Sequence, residues 1–338
     1  MSTPRLMNSE LRQDPLTGLV TIVAPHRQGR PRDRATLLVP PRPERLPAHD
    51  PNCPFCPGGA SDQARPILVL PDLARGGWRA RIVGNSYPAL SSDGAPPTTG
   101  EPARGRHEVV IETPRHDRDL TDMDGGECRG VIEIVFARMR QLTRDREVAA
   151  LFAFRNHGAG AGSSLIHPHG QIMALPFRPT EMVRREDHLR AAHEQMGRNP
   201  FEAALAAERA DGRRIVAENG LYCAYVPHAA ESACELRIQP LRWSADPFDL
   251  DPWELGPLAD LLKECLIRLR DRAGDPAYNL MWWTMSRVGR RQPYAGWCVR
   301  ILPRTIPGGG FEKAAAISIL SSTPEADAAR LRGDVREV

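Results

Sequence analysis

Asn156-His157-Gly158-Ala159-Gly160-Ala161-Gly162-Ser163-Ser164-Leu165-Ile166-His167-Pro168-His169-Gly170-Gln171 runs straight into Ile172-Met173-Ala174-Leu175. A loop of small residues feeds two histidines separated by one proline, and a glutamine stands two places further on. Alternate residues of an extended segment share a face, so His167, His169 and Gln171 line up on one side if the backbone is extended there. Pro168 holds its own φ and pushes His167 toward extended geometry. The Gly/Ala/Ser run leaves backbone N–H groups accessible, which suits a phosphate. Taken alone, the same letters also fit a flexible loop with two surface histidines.

The flanking segments supply a frame. Upstream, Leu151 to Arg155 reads as a strand, and Met123 to Leu142 carries Val131, Ile132, Val135, Phe136, Met139 and Leu142 at helical spacing. His107 to Thr113 is a strand leading into Pro114-Arg115-His116-Asp117. Trp78 to Val83 and Leu19 to Ala24 are further strands, and Ser91 to Arg106 is a polar, Pro/Gly-rich loop. The order strand, helix, strand, loop, strand predicts an α+β fold with a meander-like antiparallel sheet flanked by helices.

That order occurs twice. A shift of 127 residues lays Glu108-Val109-Val110-Ile111 over Glu235-Leu236-Arg237-Ile238. It lays Asp119, Asp122, Asp124 and Glu127 over Asp246, Asp249, Asp251 and Glu254. The second copy has strands at Glu235–Gln239, Tyr278–Thr284 and Trp297–Leu302 and a helix over Pro252–Arg272, so the module is duplicated. Under this shift His116 falls on Trp243, His167 on Tyr294 and His169 on Gly296. The joint loss of the three histidines predicts a working half over 1–180 and a degenerate, structural half over 181–338.

Two cysteines complete the picture. Asn52-Cys53-Pro54-Phe55-Cys56-Pro57-Gly58-Gly59 is a tight thiolate knuckle, able to span two corners of a zinc tetrahedron. The rival reading, a redox pair, usually opens a helix, and Pro57-Gly58-Gly59 disfavours one. The seven cysteines are an odd number, and no secretory signal pattern precedes them, which argues for a reduced cytoplasm. No apolar run reaches membrane-spanning length, so no membrane partner is expected. The net charge of +3 is too small to suggest nucleic acid. Arg27 and Arg30 stand three apart just past a strand end, where guanidinium forks suit phosphate, although a solvated loop explains them equally.

Together these segments resemble the galactose-1-phosphate uridylyltransferase branch of the histidine triad superfamily. The resemblance rests on Leu11-Arg12-Gln13-Asp14-Pro15-Leu16-Thr17, Pro25-His26-Arg27-Gln28-Gly29-Arg30-Pro31, Cys53-Pro54-Phe55-Cys56, Asn85-Ser86-Tyr87-Pro88-Ala89-Leu90, Pro114-Arg115-His116, His167-Pro168-His169-Gly170-Gln171 and Gly310-Phe311-Glu312. It implies a duplicated histidine-triad-like module in which His169 attacks the α-phosphorus of a nucleotide sugar and carries the nucleotide, most simply UMP, to a sugar 1-phosphate. A neutral imidazole suits that task near pH 7. Gln171 would donate to the phosphoryl oxygens, where histidine triad hydrolases carry a third histidine. Cys53, Cys56, His116 and His167 are implied as ligands of one structural zinc per chain. Arg27, Arg30, Asn85, Asn156, Gly162 and Ser164 match nucleotide-contacting positions, and Phe311 and Glu312 match sugar-phosphate contacts supplied by the other subunit of a homodimer. The C-terminal pattern is nearer to ADP-glucose phosphorylases, which makes a phosphorylase the alternative and a non-catalytic nucleotide-binding scaffold the third reading. Glu186 matches a second-metal carboxylate in some members, but the accompanying histidines are missing, which makes it a surface helix residue on this reading.

Overall fold

The computed structural model describes residues 9–29, 46–91, 99–305 and 309–334. Arg30, most of the Pro/Arg-rich stretch after it, residues 92–98 of the polar loop and Gly308 lie outside the described residues. In chain order the first half holds β1 (Glu10–Gln13), β2 (Val20–Val23), α1 (Ala60–Gln63), β3 (Leu68–Pro71), β4 (Trp78–Gly84), β5 (Arg106–Ile111), α2 (Gly125–Leu142), β6 (Ala150–His157) and β7 (His169–Leu175). The second holds α3 (Thr180–Met196), α4 (Pro200–Asp211), β8 (Ile215–Glu218), β9 (Tyr222–Tyr225), β10 (Leu236–Pro240), α5 (Leu255–Ala273), β11 (Tyr278–Trp283), β12 (Cys298–Pro303), α6 (Gly310–Ala315), β13 (Ser318–Leu320) and α7 (Pro324–Arg332).

Ten of these strands form one antiparallel sheet in the order β3-β4-β5-β7-β6-β11-β12-β10-β9-β8, and β1, β2 and β13 form a small second sheet. The large sheet is a palindrome of the two copies about the β6–β11 pair. There Phe154 lies opposite Met281, its own counterpart under the 127-residue shift. Both halves therefore share one sheet, and β13 pairs with β2 across the division.

The helices follow from their apolar spacing and caps. Asp124 Oδ1 accepts the Glu127 N–H at 2.8 Å while Glu127 Oε2 accepts the Asp124 N–H at 2.9 Å, a capping box that starts α2. Val131, Ile132, Val135, Phe136, Met139 and Leu142 are buried, as are Leu258, Leu262, Cys265, Leu266 and Leu269 of α5. These two helices pack together on the sheet face that carries Val110, Ile172, Leu280, Val299 and Ile301.

Two expectations need correction. The 127-residue shift holds for the order of elements but not for every residue. Glu108 pairs with Ile172 and meets Arg138 of α2, on the helix-covered face. Glu235 meets Arg300, which lies opposite Met281 and so shares the face of Gln171. Successive residues of a strand alternate faces, so an offset of one residue moves a side chain across the sheet. Counted along the ladder from the Phe154/Met281 pair, Arg300 stands where Gln171 does and Cys298 where His169 does. The second correction concerns Glu186. It is buried in α3, where its carboxylate accepts the Ser286 N–H at 2.6 Å and the Ser286 hydroxyl at 2.9 Å.

Candidate active site and metal centre

β7 is the element on which the site is built. His169 opens it opposite Ile111, and Gln171 follows opposite Val109, both on the face away from α2 and α5. The Glu112 N–H donates to the Pro168 carbonyl at 3.3 Å, extending the β5–β7 ladder through the proline and holding both histidines beside the end of β5.

The knuckle meets this strand end. Its helix is not wholly absent: α1, a single turn, begins at Ala60, but both cysteines precede it and the Gly58-Gly59 pair intervenes. Gly59 is required by a close approach, because a Cβ there would overlap the Cys53 carbonyl. Cys53, Cys56, His116 and His167 are all buried, and their ligand atoms lie within 4.8 Å of one another. His167 Nδ1 is 3.7 Å from Cys53 Sγ and 3.5 Å from Cys56 Sγ, and His116 Nδ1 is 3.6 Å from Cys56 Sγ. Bonds of about 2.3 Å to sulfur and 2.0–2.1 Å to nitrogen at tetrahedral angles put a sulfur–nitrogen edge at about 3.6 Å. These three sulfur–nitrogen edges therefore match those of a tetrahedral metal centre, and the other donor pairs lie within 4.8 Å. His167 Nε2 donates to the Thr113 carbonyl at 2.8 Å, which leaves Nδ1 unprotonated and directed at the thiols.

His169 is 8% exposed, packed against the Phe55 ring at 5.1 Å between centroids. Its Nδ1 donates to the His167 carbonyl at 2.8 Å. A carbonyl can only accept, so Nδ1 carries the proton and Nε2 keeps its lone pair. Burial, with the charge of Arg155 as a smaller contribution, holds the imidazole pKa below its ordinary value, so the ring is neutral at pH 7. Arg155 belongs to a buried network beneath the site, with its Nε 3.0 Å from Glu112 and its Nη1 2.8 Å from the Tyr278 hydroxyl. Burial pushes the Glu112 carboxyl up to about 7 against the pull of that guanidinium. The sequence reading missed this network, since its members lie far apart in the chain and form no motif.

The remaining candidates divide into groups. Asn156 on β6 accepts from Asn279 through Oδ1 at 2.8 Å, leaving its own NH₂ beside Gly162. Ser164 is exposed two residues beyond, and Asn85 lies at the end of β4, near Gln171. Arg27 is half-buried in a 3₁₀ turn over Pro25–Gly29, after β2. Phe311 and Glu312 lie on α6, with Phe311 49% exposed, and no hydrogen bond joins them to the His169 cluster among the described residues.

Comparison with known proteins places this geometry. Residues 2–179 match the family model described as galactose-1-phosphate uridyl transferase, N-terminal domain. The chain is 31% identical over 336 residues to an ADP-glucose phosphorylase of Arabidopsis thaliana, covering 96% of this chain and 93% of that protein. It is 31% identical over 261 residues to a galactose-1-phosphate uridylyltransferase of Thermotoga maritima, covering 75% and 73%. A solved structure of an Arabidopsis thaliana ADP-glucose phosphorylase with bound ADP-glucose superposes with a TM-score of 0.82 at 28% identity, covering 98% of this chain and all of that one.

Proposed function

The chain belongs to the galactose-1-phosphate uridyl transferase family, and from that premise we propose that it moves a nucleoside monophosphate between a nucleotide sugar and a second phosphate through a covalent bond to His169. One observation carries this reading: His169 Nδ1 is tied to the His167 carbonyl, so the free lone pair is on Nε2. In the first step Nε2 attacks the α-phosphorus, a nitrogen–phosphorus bond forms, the phosphoanhydride bond breaks, and the sugar 1-phosphate leaves with the electron pair. In the second step a phosphate oxygen of the acceptor attacks the same phosphorus and returns the pair to Nε2. Gln171, two residues along the same face, donates to the phosphoryl oxygens. Cys53, Cys56, His116 and His167 would hold zinc, a closed set that fixes the loop before His169 and takes no part in the chemistry. Arg27, Arg30, Asn85, Asn156, Gly162 and Ser164 are proposed to contact the nucleotide. Phe311 and Glu312 are proposed to reach the sugar phosphate of the other subunit in a two-fold homodimer. A monomer in light scattering with full activity would remove that last assignment.

The acceptor has two readings. Uridylyl transfer to a hexose 1-phosphate is the first. The second, phosphorolysis with inorganic phosphate, is favoured by the length of the match to ADP-glucose phosphorylase, 96% of the chain against 75% for the uridylyltransferase. Intact-mass spectrometry after mixing with UDP-glucose, UDP-galactose or ADP-glucose tests both. A UMP or AMP adduct on His169 identifies the base, and its discharge by galactose 1-phosphate or by inorganic phosphate identifies the acceptor. No adduct and no exchange with any of the three would overturn the reading.

A further inference from the structure

β5 brings a third imidazole to the phosphoryl face. His107 is half-buried between Asn85 and Gln171. Its Nδ1 accepts the Ala89 backbone N–H at 3.1 Å. A backbone N–H only donates, so Nδ1 is unprotonated and the ring proton sits on Nε2. That Nε2–H points at Gln171 Oε1, 2.7 Å away. The Gln171 oxygen is thereby occupied, and its NH₂ is turned away from His107.

The Asn85 amide is oriented by the same logic. Its Oδ1 accepts the Tyr87 N–H at 2.8 Å, so its NH₂ lies on the side of the ring, 3.2 Å from His107 Nε2. Two donors do not bond to one another, so the hydrogens of this NH₂ also remain for another acceptor. Two amides meet at one imidazole, and each keeps its carbonyl engaged and its donors without an acceptor among the described residues. A phosphoryl group offers only acceptors, so this is the orientation that binds it. The opposite flip would set a carbonyl oxygen against a phosphate oxygen.

We propose that His107 is the positioning residue for Gln171: one backbone N–H sets the tautomer of one imidazole, and that imidazole holds the glutamine amide with its NH₂ toward the phosphoryl group carried by His169. The inference rests on the nucleotidyl-transfer reading above. Its consequence is selective. Without His107, nucleotide sugar still binds, but Gln171 spends part of its time in the repulsive orientation and the transfer step slows.

The test is single-turnover adduct formation on His169, followed by quenched intact-mass spectrometry at several nucleotide-sugar concentrations. His107→Phe is expected to slow the maximal rate by about 10–100-fold, short of the full loss of an oxyanion donor, while half-saturation moves by less than about 3-fold. His107→Gln, whose terminal NH₂ reaches the place of Nε2, recovers most of the rate. In the Gln171→Ala background, His107→Phe costs no more than about 2-fold, because the group it positions is gone. His107→Asn, too short to reach Gln171, repeats the measurement with a smaller polar side chain if the phenylalanine variant does not fold. A His107→Phe or His107→Asn rate within about 2-fold of wild type overturns the inference, and so does an equal loss in the presence and absence of Gln171. Wild-type protein that forms no adduct overturns the nucleotidyl-transfer reading and this inference with it, an outcome distinct from an adduct that forms at the same rate in all His107 variants.

Discussion

The two halves present the same sheet face to opposite fates. In the first half, the face of β5 and β7 carries groups with no partner among the described residues: His169 Nε2 and the NH₂ groups of Gln171 and Asn85. In the second half, α4 closes the face of β10 and β12. The Phe201 ring lies against Gly296, where any Cβ would overlap it. Asn199 Nδ2 donates to the Pro293 and Ala295 carbonyls at 2.9 and 2.8 Å, and the Trp243 indole donates to Ala295 at 2.9 Å. Cys298 is fully buried, and burial pushes its thiol up to about 11. Arg237 pairs with Asp14 at 2.6 Å and Arg300 with Glu235 at 2.8 Å. The fold tolerates either content. The two faces differ in what meets their polar groups: in the second half the arginines are ion-paired and the strand-end carbonyls accept from Asn199 and Trp243 within the chain.

The comparison can be broken most sharply at His169. His169→Ala should lower exchange by roughly 10³-fold or more and abolish the adduct, while metal content stays at one ion per chain because the ring is not among the four clustered donors. Near-normal exchange in this variant would mean that the two faces do not differ by a nucleophile. Cys53→Ser comes next. It should lose bound zinc and lower Tm by several degrees, since a structural ion contributes to folding. Full metal occupancy by atomic absorption would show that the knuckle is not the metal centre. Gln171→Ala should lower kcat by about 10²–10³-fold, equivalent to about 2.7–4 kcal/mol, with binding of nucleotide sugar little changed. The smallest effect belongs to the second half. Gly296→Ala should cost about 1–3 kcal/mol through overpacking against Phe201, read as a lower urea midpoint, with activity per folded molecule unchanged. Lost activity without lost stability would show that the closed face takes part in the reaction.

Much of this was legible in the letters. The knuckle, the His-Pro-His-Gly-Gln run and the duplicated element order depend on local spacing, which a chain carries with it: period two for the strands, period 3.6 for α2 and α5, and turn residues between. Spacing marked only the Cys53/Cys56 knuckle; the resemblance to the family added His116 and His167 to it, and the ligand atoms of all four lie within 4.8 Å of one another. The register of the repeat was not legible. A one-residue offset leaves composition and element order untouched, yet it carries Glu235 to the face opposite that of Glu108.

His107 was hidden for a related reason. It sits in an ordinary strand, and nothing within that strand distinguishes it. The role proposed for it comes from Ala89, in the loop after β4, and from Gln171, 64 positions away on the paired strand β7, which only the tertiary structure brings to its two nitrogens. The sequence by itself determined which elements form and which chemical groups the chain owns, because propensity, caps and spacing act over a few residues. The tertiary structure decided which of those groups stay free. A hydrogen bond between distant residues is a property of packing: among the described residues, packing leaves His169 Nε2 and the NH₂ groups of Gln171 and Asn85 without a partner, while it ion-pairs Arg237 and Arg300 and covers the Pro293 and Ala295 carbonyls of the second half.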